Sequence, residues 1–160
     1  MKKYVYLAGP IEGHSDESIV NWRQVVKNRL NSGIIGVTPY RGEEVTPDYS
    51  LEVAKKIEQK NLLDTHSCDL ILAYLPRSLV ENRPSIGTIF EIAWGRILQK
   101  PVIVVSDDPV TVKHPLVRSA STIFTNRMMH NTSSNYTNHT SIELLHEAID
   151  YINILFGEYV

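Results

Sequence analysis

Residues 69–105 read DLILAYLPRSLVENRPSIGTIFEIAWGRILQKPVIVV. Asp69 to Leu75 is a nearly continuous apolar run of strand length, which suits a strand covered on both faces, and it should be central. Pro76 to Arg83 is a polar loop, and Pro101 to Val105 is a second buried strand. Between them Ile86, Ile89, Phe90, Ala93, Trp94, Ile97 and Leu98 follow the i, i+3, i+4, i+7 spacing of a helix, and this stripe is expected to face a core. Strand, helix and strand in this order make a parallel pair joined by a right-handed crossover.

The same alternation extends in both directions. Lys3 to Ala8 is a short β-rich run stopped by the turn signal Gly9-Pro10. Ser15 is the expected N-cap of a helix with Asp16 and Glu17 in its first turn and Ile19, Trp22, Val26 and Leu30 inward, carrying to Gly33. Ile34 to Val37 is the second strand. Thr38 to Tyr49 has no period and reads as a loop, followed by a helix from Leu51 to about His66 with Ala54, Ile57 and Leu62 inward. Thr122 to Thr125 is a fifth strand. After the polar stretch Asn126 to His139, the capping-box match Thr140-x-x-Glu143 opens a last helix through Leu145, Ile149, Ile152 and Phe156. Strands alternating with helices imply a five-stranded parallel sheet with helices on both faces, whose ligands bind at the carboxyl ends of the strands.

At 160 residues, 42% apolar and 21% charged, the chain is expected to form one domain, residues 1–160, with one good core. A net charge of −2 without a basic block argues against nucleic acid or a membrane surface as partner and favours small molecules. Apolar runs are too short to cross a bilayer, and MKKYVYLAGP breaks too early for a signal peptide, so a cytoplasmic protein is expected. Cys68 is the only cysteine, which allows no internal disulfide and reads as core filler. The N-x-S/T triplets at Asn131, Asn135 and Asn138 carry no weight without a secretory route. The six histidines lack paired ligand spacing, so no metal site is expected. No cofactor is expected either, since the chain has neither a G-x-x-x-x-G-K-[ST] loop nor a G-x-G-x-x-G fingerprint.

One acid stands out. Glu91 lies on the flank of the helical stripe, and its i−4 and i+4 neighbours are Gly87 and Gly95. Glycine inside a helix costs about 0.5–1 kcal/mol relative to alanine, so two beside one acid need a reason. Close approach of a ligand or a backbone is one; close helix packing around an ordinary surface glutamate is the other. A carboxylate in a dry crevice can act as nucleophile, general base or hydroxyl-binding acceptor. Chemistry at an anomeric carbon suits a lone acid, whose charge stabilises a cationic transition state, but spacing alone does not choose that reaction.

YLAGP at the first strand, CDLILAYL before the loop, then S-x-G-T-x-F-E-I-A-W-G and K-P-V-I, resemble the nucleoside 2-deoxyribosyltransferase family, which includes the deoxynucleoside 5′-monophosphate N-glycosidases. The resemblance runs from Tyr4 to about Met128. It implies a flavodoxin/Rossmann-like three-layer α/β sandwich that takes a nucleoside or nucleotide, with Glu91 as the nucleophile at C1′ and Tyr6 orienting it. It places Gly9, Asn61, Asp64, Ser85 and Gly87 about the substrate. Asn126 and Met128 in TNRM are similar to the N-x-M segment with which a neighbouring subunit closes the pocket, which implies a homodimer or larger homo-oligomer with shared sites.

Two positions depart from the family pattern. Asn61 stands where an aspartate usually contacts or protonates the leaving base, and an amide cannot donate an acidic proton; Asp64, one turn on, is either its substitute or a solvated helix residue. Ser85 matches the hydrolases, where a serine reaches a phosphate, and fits an N-cap equally well. Glu12 in the first turn would repel a phosphate, with Arg41 or Arg83 as the compensating cations. The expected activity is deoxyribosyl transfer between bases, with monophosphate hydrolysis or a non-catalytic nucleotide-binding role as the alternatives.

Overall fold

The computed structural model describes residues 1–11, 14–42, 49–77, 85–124 and 141–157. Among these, five strands form one parallel sheet in the order β2-β1-β3-β4-β5: β1 Lys3–Ala8, β2 Ile34–Val37, β3 Leu70–Tyr74, β4 Val102–Val105 and β5 Thr122–Phe124. All five expected strands are present, the fifth as far as Phe124. Every residue of β3 and β4 is buried, the outcome that continuous apolar runs require in a sheet covered on both faces.

The two-residue period of the strands sorts side chains between two cores. Val5 and Leu7 of β1, with Leu70, Leu72 and Tyr74 of β3, pack against Trp22 and Val26 of α1 (Asp16–Arg29) and Leu145, Ala148, Ile149 and Ile152 of α6 (Ser141–Phe156). Tyr6 and Ala8, with Ile71 and Ala73, face the other way, toward Ile92 of α3 (Ile86–Ile97) and Val117 of α5 (Pro115–Ala120). The helix α2 (Leu51–Ser67) lies against α3 and β1 on that second side. The result is the expected three-layer sandwich.

Several local expectations need correction. The first helix ends at Arg29, and Gly33 lies beyond it at φ 92° in the turn into β2, a left-handed backbone that glycine adopts without strain. On α2, Ile57 and Leu62 are half-buried, but Ala54 is exposed. The segment between β4 and β5 carries two short helices, α4 (Pro109–Lys113) and α5, each opening on a proline at its first position, where the missing N–H costs nothing. Helices of five or six residues are too short to show a period. Thr125, Thr140, Pro84, half of the expected loop at Thr38–Tyr49 and most of that at Pro76–Arg83 lie outside the described residues, as do Glu12, Arg83 and the three N-x-S/T asparagines.

The chain runs from β1 outward to β2 and then crosses back to β3. The neighbours β1 and β3 are therefore the point where strand order reverses, and the helices that follow them, α1 and α3, pack on opposite faces of the sheet, the arrangement at which folds of this kind bind their ligands.

Candidate functional site

Tyr6 sits in the fully buried run Val5–Ala8 of β1, on the face turned to α2 and α3. Its hydroxyl donates to Glu91 Oε1 at 2.6 Å. Glu91 is 5% exposed, so the bond joins the central strand to α3 in an environment with little water.

The expected apolar stripe of α3 is not the face that packs inward. The buried row is Thr88, Glu91, Ile92 and Gly95, whereas Ile86 and Phe90 are each 58% exposed and Ile97 76%. Ala93 is exposed too, and only Ile89, Trp94 and Leu98 are partly covered. Gly95 gives the reason. A Cβ there would run into Ile71 Cδ1 and come within 2.7 Å of Val102 Cγ2, so the bare glycine lets the helix lie close on β3 and β4 with the Glu91 row against the sheet. Around Gly87, by contrast, no described atom outside its own stretch of helix lies within 4 Å of such a Cβ. The two readings of the paired glycines thus divide, with close packing at Gly95 and open space at Gly87.

Burial pushes the Glu91 carboxyl up to about 7, against the opposing pull of the Tyr6 hydrogen bond and the positive charges of Arg23 and Lys60. The Tyr6 phenol is driven far above its ordinary value, first by burial and then by the adjacent carboxylate. Tyr6 is therefore a permanent donor, and it favours the ionised form of Glu91.

Asn61 and Lys60 come from α2. The Asn61 amide nitrogen donates to Glu91 Oε1 at 3.4 Å, while its carbonyl oxygen is buried with no partner among the described residues. The Thr65 hydroxyl, one turn further on, is in the same condition. Lys60 Nζ donates to the Pro39 carbonyl at 2.6 Å. Both described hydrogen bonds to Glu91 fall on Oε1.

Gly9 follows β1 directly. A Cβ on it would lie 2.6 Å from Trp22 Cζ2 and 3.1 Å from the Tyr74 carbonyl oxygen, so only glycine lets the turn pass between α1 and the end of β3. Ser85 caps α3, its Oγ accepting from the Thr88 N–H at 3.5 Å and from the Thr88 hydroxyl at 3.1 Å. Asp64 is bound in an ion pair with Arg41 at 2.8 Å, its side chain 17% exposed. Among the described residues Asp64 and Arg41 are thus engaged with each other. Asn126 and Met128 lie outside the described residues. Cys68 is buried, and burial pushes its thiol up to about 11, which leaves it protonated and inert at neutral pH.

Arg23 escaped the reading of the sequence. It is 3% exposed and donates to the carbonyl oxygens of Leu7, Ile19 and Gly9 at 3.2, 2.7 and 3.0 Å. Its signal was present: with Ile19, Trp22 and Val26 it shares the inward row of α1, and a cation at such a position must be buried with partners or for use.

The assembled group is a carboxylate at the strand-order reversal, oriented by a phenol, near a carbonyl oxygen in need of a donor. It can attack an electrophilic carbon or stabilise a cationic one in a site that excludes most water.

A family model described as nucleoside 2-deoxyribosyltransferase matches residues 5–142, a span holding both Tyr6 and Glu91. No curated protein matches the chain by sequence. Among solved structures, a 2-deoxyribosyltransferase from Leishmania mexicana is similar over 99% of both chains with a TM-score of 0.60 and 19% identity. A CMP N-glycosidase, BcmB, from Clostridium botulinum aligns over 93% of this chain and 99% of its own, with a TM-score of 0.56 and 17% identity. The 2-deoxyribosyltransferase of Bacillus psychrosaccharolyticus aligns over 88% and 95%, with a TM-score of 0.54 and 17% identity. At these identities the structural likeness is one of fold.

Proposed function

The chain belongs to the nucleoside 2-deoxyribosyltransferase family, a family of enzymes, and from that premise we propose that it cleaves the N-glycosidic bond of a 2′-deoxynucleoside or its 5′-monophosphate and passes the sugar to a second base. The observation that carries this reading is the buried 2.6 Å bond from the Tyr6 hydroxyl of β1 to Glu91 of α3. In the proposed reaction Oε1 stays on Tyr6 and Asn61 while Oε2 attacks C1′. A C1′–O ester bond forms as the C1′–N bond breaks, and the bonding pair leaves with the base, which takes up a proton. A nitrogen of the incoming base then attacks C1′ and gives up its proton to water, balancing the proton that water supplied to the departing base, and the ester pair returns to Glu91.

The unpartnered Asn61 oxygen supports a substrate-binding role, since an N–H of the substrate would satisfy a buried acceptor that is otherwise costly to leave alone. Asn61 itself can bind the leaving base but cannot protonate it. In this reading Gly9 and Gly87 border the sugar site, Asp64 contributes through its pair with Arg41, and Asn126 and Met128 come from a neighbouring copy. Exposed Ile86, Phe90 and Ile97 on the helix that bears Glu91 support self-association through that face. Among the described residues no helix is long and apolar enough to cross a membrane.

Hydrolysis is the second reading, with water resolving the ester in place of a base. The fold likeness to the CMP N-glycosidase favours it; Ser85 accepts both of its described hydrogen bonds as a helix cap, which leaves its hydroxyl proton to offer a phosphate. Incubation with deoxynucleosides and their monophosphates, with and without a free second base, separates the readings by chromatography. Base exchange is expected, and it should vanish in Glu91→Ala. Release without exchange would make the protein a hydrolase, while neither product, or full turnover in Glu91→Ala, would overturn the proposal.

A further inference from the structure

The carboxyl end of β1 is held by a buried cation whose purpose the chemistry above does not yet use. Arg23 is withdrawn from solvent as completely as the core around it, yet its three hydrogen bonds go to neutral carbonyl oxygens. No carboxylate among the described residues forms an ion pair with it. Its guanidinium carbon lies 4.4 Å from the centre of the Trp22 ring, a favourable face for a cation but not a neutralising one. A buried, uncompensated charge is costly.

The carbonyls it binds are informative. Leu7 and Gly9 flank the last residue of β1, immediately after Tyr6, and Ile19 lies one turn back on α1. The fork therefore ties the strand end and its turn to α1 at the crevice. The link to Glu91 runs along the strand: Arg23 holds the Leu7 carbonyl, and Tyr6, the residue before it, donates to Glu91 Oε1, so the charge of Arg23 acts on both groups.

We propose that Arg23 is a positioning residue for Glu91: its fork fixes the end of β1, and hence the Tyr6 hydroxyl, while its charge compensates the buried carboxylate and keeps it ionised. This rests on the reading of Glu91 as nucleophile. Among the described residues, the other groups acting on Glu91 are Tyr6 from β1 and Lys60 and Asn61 from α2; Asp64, also on α2, acts on Tyr6 in the opposite sense to Arg23. Lys60 is bound to Pro39 at the rim, so Arg23 is the cation of this set buried on the strand side.

The test compares Arg23→Gln, which removes the charge and keeps donors, with Arg23→Lys, which keeps the charge and loses the fork. Glu91 is titrated directly in protein carrying carboxyl-labelled glutamate, with Glu91→Gln identifying its resonance. In Arg23→Gln the Glu91 midpoint should rise by about half a pH unit or more, and the acid limb of kcat/KM should move with it. Arg23→Lys should return the midpoint toward the parent value while kcat stays depressed, because a lysine cannot hold both strand carbonyls. A purely structural role would lower Tm and depress kcat evenly at every pH with the midpoint unmoved, and that result overturns the proposal. If neither variant folds, the Arg23 Nε–H resonance of the parent protein decides: it must shift with the Glu91 titration, and a flat response refutes the link. A parent protein inactive on every deoxynucleoside would sink the proposed function, whereas the two titrations would still decide whether Arg23 governs the carboxylate.

Discussion

Replacing Glu91 with glutamine should abolish turnover and, above neutral pH, make the protein more stable. In the unfolded chain this carboxyl has its ordinary value of 4.5, and in the fold burial raises it to about 7. Between those values the native state keeps a proton that the unfolded state has released. Stability is therefore lost as pH rises from the unfolded value through the folded one, and then levels off. At about 1.4 kcal/mol per pH unit, the full cost of ionising Glu91 in place is on the order of 3 kcal/mol, most of which falls between about pH 5 and about pH 8.5. Glutamine has the same shape and offers Tyr6 the same carbonyl oxygen, but it carries no charge to bury.

The assay is equilibrium urea unfolding of parent and Glu91→Gln at both pH values, followed by the fluorescence of buried Trp22. Every other titrating group is common to the two proteins, so the difference of differences isolates Glu91. The parent should lose about 2–3 kcal/mol more than the variant on going to the higher pH, seen as a relative fall of about 1–2 M in the urea midpoint. Parallel pH dependences would refute the reasoning, because they would mean that the carboxylate is hydrated or ionised at no cost. Such a penalty in the parent is the kind that a functional site imposes on its fold.

Two further outcomes follow from α3. Gly95→Ala should destabilise by about 1–3 kcal/mol through overpacking against Ile71 and Val102, whereas Gly87→Ala, with no described atom in its way, should be neutral or stabilise by up to about 1 kcal/mol; equal effects in thermal melts would contradict the packing described. With Phe90→Lys and Ile97→Lys combined, sedimentation should show a smaller species than the parent, with unchanged circular dichroism and reduced base exchange. A parent already monomeric at the concentrations of the assay would remove α3 as a self-association face.

The periodic parts of this molecule were legible from residues alone because their causes are local. Continuous apolar runs such as Leu70–Tyr74 can only be strands covered twice, Ser15 caps the helix that follows it at 3.3 Å from the Ser18 N–H, and alternation of strand with helix dictates a parallel sheet. Glu91 and Tyr6 could be singled out by the glycines around one and the motif around the other, although nothing local shows that they touch.

What required the tertiary structure is whatever depends on which surfaces meet. The side of α3 that packs inward was misjudged because hydrophobicity favours the Ile86, Phe90 and Ile97 row, while the close approach allowed by Gly95 and the hydrogen bond offered by Tyr6 bury the Glu91 row instead. The reversal of strand order between β1 and β3 follows from the path of the chain through space, and with it the position of the crevice. Arg23 shows the same limit. Its place on the inward row of α1 is written in the sequence, but the carbonyls of Leu7 and Gly9 that receive it come together only when the strand, the turn and the helix are packed.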